Sequence, residues 1–129
     1  MRELEVAYPK LKRDWCAVGG VVVRLRPPGS KGIPDFVLLS RRGRPVFCEV
    51  KCVESEKDVI GLDFIQVDTL RMLYDYKGAA VVVALCLRSH AWGVYDVRNV
   101  STTTRYVQYY KEAKDPMALQ RAVYECQVG

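Results

Sequence analysis

Residues Ala79 to Leu87 form an unbroken apolar run, Ala-Ala-Val-Val-Val-Ala-Leu-Cys-Leu, with no charged or polar interruption. A β-branched stretch of that kind, lacking alternation, reads as a central strand covered on both faces. A sheet covered on both faces needs helices on either side, which places the chain in the α/β class. Even with Gly78 included, the run is about half of what a membrane span needs. Glu3, Glu5, Lys10, Lys12 and Arg13 interrupt any apolar signal segment at the start. A soluble, cytoplasmic protein with no membrane partner is therefore expected.

The remaining elements arrange themselves around that strand. Leu4, Tyr8, Leu11 and Trp15 recur at helical spacing and stop at Gly19-Gly20. Pro9 confines the start of this helix to Leu4 or Glu5, or kinks it, because a proline is tolerated only in the first turn. Val21–Val23 reads as a short strand and residues 26–32 as a Pro/Gly-rich loop. Phe36–Leu39 and Pro45–Val53 read as two strands joined by a turn over Ser40–Arg44, which contains Gly43. Glu54–Gly61 is polar and mixed in charge, hence a loop. Asp63–Tyr76 is expected to be helical, with Phe64, Val67, Leu70, Met72, Leu73 and Tyr76 as its apolar face. Trp92–Val97 is a further strand, and Asp115-Pro116 opens a last helix to about Cys126. No repeat or linker divides the sequence, so one mixed-sheet α/β domain spanning residues 1–129 is expected. Trp15, Trp92 and the Tyr106/Tyr109/Tyr110 group are assigned to its core.

The five cysteines contain no Cys-x-x-Cys pair, and His90 is the sole histidine. That argues against a disulfide framework and a zinc site, and points to buried thiols. The charge is unevenly placed. Residues 1–51 carry eleven Lys/Arg against five Asp/Glu, a net of +6, while residues 52–129 carry nine against ten. A basic N-terminal half suits a polyanionic partner.

The chemistry gathers in Glu49-Val50-Lys51. Alternation along a strand puts Glu49 and Lys51 on one face, and Cys48, Val50 and Cys52 on the other. A carboxylate beside an ammonium within an otherwise apolar strand is unusual, since charges are seldom buried unless paired or metal-bound. Folding the two strands around Gly43 places Asp35 opposite residues 49–51. Two converging carboxylates make an oxygen site suited to Mg²⁺, with Mn²⁺ as a substitute. Lys51 is then placed to orient a water or stabilise developing charge.

Gly32-x-Pro34-Asp35, followed after thirteen residues by Glu49-x-Lys51, resembles the PD-(D/E)xK nuclease superfamily. The likeness extends over roughly residues 1–100. Val21–Arg24, a loop with Gly29-Ser30-Lys31, the motif, and Gln66 on a helix ending Tyr76-Lys77-Gly78 before a valine-rich strand look like the archaeal Holliday-junction resolvases. The virus-type replication and repair nuclease domains have a similar layout. The resemblance implies a restriction-endonuclease-like mixed sheet flanked by helices (αβββαβ core) and catalytic Asp35, Glu49 and Lys51. It also implies a helix carboxylate, which is assigned to Glu5 rather than Glu3 because Glu5 lies nearer the sheet-facing stripe. The implied metal set is Asp35, Glu49, Val50 and Glu5. DNA contacts fall to Arg24, Arg26, Ser30 and Lys31 around the loop, to Arg41, Arg42 and Arg44 on the hairpin, and to Gln66.

The function expected on these grounds is Mg²⁺-dependent, structure-selective DNA hydrolysis, resolving Holliday junctions in recombination and repair. Symmetric cleavage of a four-way junction requires a homodimer. The alternatives are a virus-type nuclease acting on flaps, nicks or ends, and an inactive nucleic-acid-binding module. Any of them places the protein at nucleoid or viral DNA.

Overall fold

The computed structural model describes residues 3–25, 32–41, 43–55, 59–77, 79–98, 100, 103 and 105–127, the side chains of 3, 4, 76 and 77 excepted. A π-helical turn, Glu3–Ala7, leads into helix α1, Tyr8–Ala17. Pro9 sits in the first turn of α1. Having no N–H and a ring that crowds the carbonyl four residues back, it is accommodated by the wider turn that precedes it. Strands β1 (Val21–Arg24), β2 (Phe36–Ser40) and β3 (Gly43–Val53) follow, then β4 (Ile60–Gly61) and helix α2 (Phe64–Lys77). The chain continues through β5 (Ala80–Cys86), β6 (Trp92–Asp96), β7 (Tyr106–Ala113) and helix α3 (Pro116–Glu125).

Among the described residues the strands make one sheet in the order β1-β2-β3-β5-β6-β7-β4. β3 and β5 pair in parallel and the other neighbours are antiparallel, so the sheet is mixed. Every residue of β5 is buried. Val81, Val83 and Leu85 join a core with Leu11 and Trp15 of α1 and Leu119 and Val123 of α3. Val82 and Ala84 join a second core with Val67 and Leu70 of α2. The valine-rich run is thus the spine that both layers share. Helices on both faces of a mixed sheet are the expected α/β architecture.

Several details differ from the sequence expectation. The β2–β3 turn is tighter than Ser40–Arg44, since Ser40 already pairs with Gly43. Gly43 is required there because a Cβ would strike the Tyr124 ring of α3. Ile60 and Gly61, assigned to a loop, pair with Val107 and Tyr106 of β7. Of the expected apolar face of α2, Val67 and Leu70 turn inward, while Phe64 and Met72 lie 58% and 63% exposed. Of the tyrosine group only Tyr109 packs in the core, edge-on to Tyr95, while Tyr106 and Tyr110 are exposed. Cys48, Cys86 and Cys126 are buried thiols, Cys52 is half-buried and Cys16 is exposed.

The Asp115 side chain accepts the Ala118 N–H at 2.8 Å and so opens α3 as a capping residue. At the other end of α3, burial pushes the Cys126 thiol up to about 11. A thiol whose folded pKa lies above its unfolded value stabilises the fold fully below that unfolded value. The contribution is lost as pH rises through the folded pKa. Urea titrations from pH 9 to about 11 are therefore expected to show stability falling more steeply for wild type than for Cys126→Ala. The difference should approach about 1.4 kcal/mol per pH unit.

Candidate active site

The site is built where β2 and β3 part. Phe36 pairs with Cys48 and Leu38 with Val46, a register that sets Asp35 beside Glu49 as β2 begins. The hairpin centre lies one residue earlier than symmetric folding about Gly43 implies, because the tight turn and the irregularity between Leu38 and Ser40 shift the pairing. The Asp35 backbone still closes the neighbouring pair, accepting Leu25 N–H at 3.0 Å. Its side-chain Oδ2 accepts the Val50 N–H, also at 3.0 Å. Asp35 is thereby tied to the residue between Glu49 and Lys51.

Cys48, Val50 and Cys52 pack in the core shared with α1 and α3. Alternation turns Glu49 and Lys51 to the opposite layer, where α2 lies, as the sequence led one to expect. Glu49 is 2% exposed. An ionised carboxylate at that depth needs hydrogen-bonding partners. The Gln66 amide donates from Nε2 to Glu49 Oε2 at 2.9 Å, and the Lys51 ammonium stands 3.8 Å from the same oxygen. The Cys48 thiol is pushed well above its usual value, first by burial and then by the nearby charges of Asp35 and Glu49.

Gln66 is held in turn by the start of α2. Its backbone N–H donates to Asp63 Oδ1 at 2.9 Å, while its side-chain Oε1 accepts the Asp63 N–H at 3.1 Å. This reciprocal pair is a capping box, and the Asp63 carbonyl accepts the first intrahelical bond from Val67 N–H. Asp63 was not among the expected site residues, although Asp-x-x-Gln before a helix is a legible signature. Gly32 packs against the same turn. It has φ +81°, and a Cβ there would collide with the Ile65 side chain. The Gly-x-Pro-Asp opening therefore has a steric reason, since a glycine lets the loop approach α2.

The other expected residues are distributed differently. Arg24 ends β1, paired with Phe36 and adjacent to Asp35. Arg41 and Arg44 are at the far end of the hairpin, five residues along β3 from Glu49 in the case of Arg44, or about 17 Å. Arg26, Ser30, Lys31 and Arg42 lie outside the described residues. Glu5 is exposed on the turn preceding α1, whose buried face packs in the layer opposite Glu49. Among the described residues no three His, Cys, Asp or Glu side chains are grouped to hold a metal, so the structure does not gather Glu5 with Asp35 and Glu49. What it gathers is an oxygen set of two carboxylates. In an extended strand a residue's C=O points the same way as its N–H, so the Val50 carbonyl faces Asp35 as well. Such a set fits Mg²⁺, which binds through one or two carboxylates and keeps several waters.

The buried Glu49–Gln66 contact should be measurable as coupling. A double-mutant cycle with Glu49→Leu and Gln66→Leu, followed by chemical denaturation, is expected to give an interaction energy of about 1.5–3 kcal/mol, the range for hydrogen bonds to charged groups. Additive effects would mean that the pair does not form.

No family model and no curated protein matches the sequence. Comparison of folds does find likeness. A Holliday junction resolvase, Hjc, from the archaeal hyperthermophile Archaeoglobus fulgidus superposes with a TM-score of 0.61 at 19% sequence identity. The match covers 92% of this chain and 95% of that one. The chain thus has the fold of an archaeal Holliday junction resolvase over nearly its whole length.

Proposed function

We propose that the protein is a metal-dependent, structure-selective DNA endonuclease that resolves four-way junctions. One observation carries the reading: the two carboxylates and the lysine of the PD-(D/E)xK pattern converge where β2 leaves β3. The resolvase fold and the basic N-terminal half, net +6 over residues 1–51, support it. Asp35, Glu49 and the Val50 carbonyl would hold a Mg²⁺ ion, which supplies Lewis-acid charge and acidifies a water. Glu5, exposed on the turn before α1, is assigned an outer role at the metal site.

The chain's own groups then divide the work. Asp35 takes its orientation from the Val50 N–H, and Glu49 from Gln66. Hydrolysis forms one P–O bond to water and breaks one to a sugar oxygen. Lys51, beside Glu49, orients the water or offsets the charge growing on the phosphate. Arg24 is the described cation adjacent to the site along the sheet and is assigned a phosphate contact. Arg41 and Arg44 serve a more distant stretch of backbone. Phosphate contacts position without reading sequence, which suits an enzyme selecting for DNA shape.

Paired cleavage needs two sites, and a second copy is the partner assigned to one apolar strip. Val21 and Val23 on edge strand β1 are 53% and 39% exposed. Their cross-strand partners Leu39 and Val37, and then Phe47, are only half-buried on the same face. Among the described residues α2 packs against β5 rather than over this half of the sheet. Val23→Glu is expected to shift the mass in solution from dimer to monomer by light scattering; an unchanged dimer would place the interface elsewhere.

The activity is tested with Mg²⁺ and labelled four-way junction, flap, nicked and linear duplexes. Paired nicks across the junction are expected, with Asp35→Asn and Lys51→Ala reducing cleavage by at least about 100-fold. Preference for flaps or ends would indicate a repair nuclease of the virus type. Binding without cleavage of any substrate would indicate an inactive nucleic-acid-binding module. Chelation of the metal should abolish cutting, and Mn²⁺ should restore it.

A further inference from the structure

We propose that Asp63 is a positioning residue for Glu49, acting through the side chain of Gln66. An amide has one accepting and one donating end. With Oε1 engaged by the Asp63 N–H at 3.1 Å, the Nε2 end is left pointing at Glu49 Oε2, 2.9 Å away. Reversing the amide would set an oxygen against a carboxylate and leave the Asp63 N–H facing an NH₂ group, so two contacts are lost together. The capping box is therefore more than a helix start. It selects the polarity of the group that orients the buried carboxylate.

The box is itself anchored from two directions. Leu62, immediately before it, is buried and donates its N–H to the Arg105 carbonyl at 2.9 Å. Ile60 and Gly61 pair with β7, so the short β4 strand holds the approach to Asp63 against the sheet. On the other side Gly32 packs on Ile65, within the same helical turn as Gln66. The Asp63 carboxylate closes this frame by gripping the Gln66 N–H at 2.9 Å. Removing it takes away one of the two bonds of the box and leaves the Gln66 amide held by the Asp63 N–H alone. The same frame links the two halves of the motif, since the Gly32 loop leads directly into Asp35.

What the aligned carboxylate is for rests on the nuclease reading; the alignment itself does not. The experiment separates the two. Asp63→Gly deletes the side chain at little cost to the helix, because glycine is a tolerated capping residue, whereas Asp63→Asn keeps an accepting oxygen. Three quantities are measured on the full chain. These are exchange of the Gln66 side-chain amide protons by NMR, affinity for Mn²⁺ alone by calorimetry, and kcat and KM on junction DNA. Gln66→Met identifies the amide resonances.

Wild type and Asp63→Asn are expected to protect the Gln66 amide. Asp63→Gly should accelerate its exchange and lower Mn²⁺ affinity and kcat by roughly 10–100-fold, with KM little changed. Unaltered amide exchange in Asp63→Gly overturns the proposal. So does a lower melting temperature with metal affinity and kcat intact, the signature of a purely structural cap. If wild type cuts no DNA the nuclease reading fails, and the positioning role is then decided by amide exchange and Mn²⁺ binding.

Discussion

A carboxylate held out of water inside the sheet is the constraint on which the rest of the structure turns. Glu49 is almost wholly buried, on a strand whose other face belongs to the hydrophobic core. Desolvating an ionised carboxylate is costly unless donors replace the lost water. Gln66 donates to one oxygen and the Lys51 ammonium stands 3.8 Å from the same oxygen as a countercharge, and each comes from a different source. Lys51 is two residues along the same strand, guaranteed by the pleat. Gln66 arrives from a helix that must start at the right place and turn one polar side chain inward beside Val67 and Leu70. The position of α2 is thus set by packing on one side and by a buried charge at its tip.

The sheet explains why the site occupies one end of the hairpin. β2 and β3 stay paired from their turn up to Phe36–Cys48, and Asp35 falls at the first residue beyond that ladder. A residue leaving a strand can turn its side chain back onto the neighbouring backbone, and Asp35 does so at the Val50 N–H. At the other end the hairpin is bound to α3, where Ser40 Oγ and Tyr124 Oη lie 2.8 Å apart and Tyr124 Oη donates to the Arg44 carbonyl. One end is bound to α3 and the opposite end carries the carboxylates. That division also accounts for the distance between the hairpin arginines and the carboxylates.

Much of this was legible in the chain. The valine-rich run announced a doubly covered strand, and strand alternation in Cys48–Cys52 separated a charged face from an apolar one. Asp35 could be brought to Glu49 by counting through the hairpin, with its centre displaced by one residue, which the tight turn explains. β4 escaped notice because two residues of strand leave no periodicity to read, and only its pairing with β7 creates it. Phe64 and Met72 were misplaced because helical spacing tells which residues share a stripe, but not how wide the contact with the sheet will be.

The sequence by itself determined the local chemistry. Side-chain alternation, a glycine at a close approach, a proline confined to a first turn and an Asp-x-x-Gln helix start all follow from short-range sterics and hydrogen bonding. Only the tertiary structure decided which of these local pieces meet. It set α1 in the layer opposite Glu49, and it brought Gln66 across from α2 to the buried carboxylate. The reason is that layer assignment depends on burying apolar faces far apart in sequence, and no spacing along the chain encodes which face of the sheet a helix will cover. The convergence of Asp35, Glu49 and Lys51 was written in one hairpin; the helix that orients Glu49 was chosen by the fold.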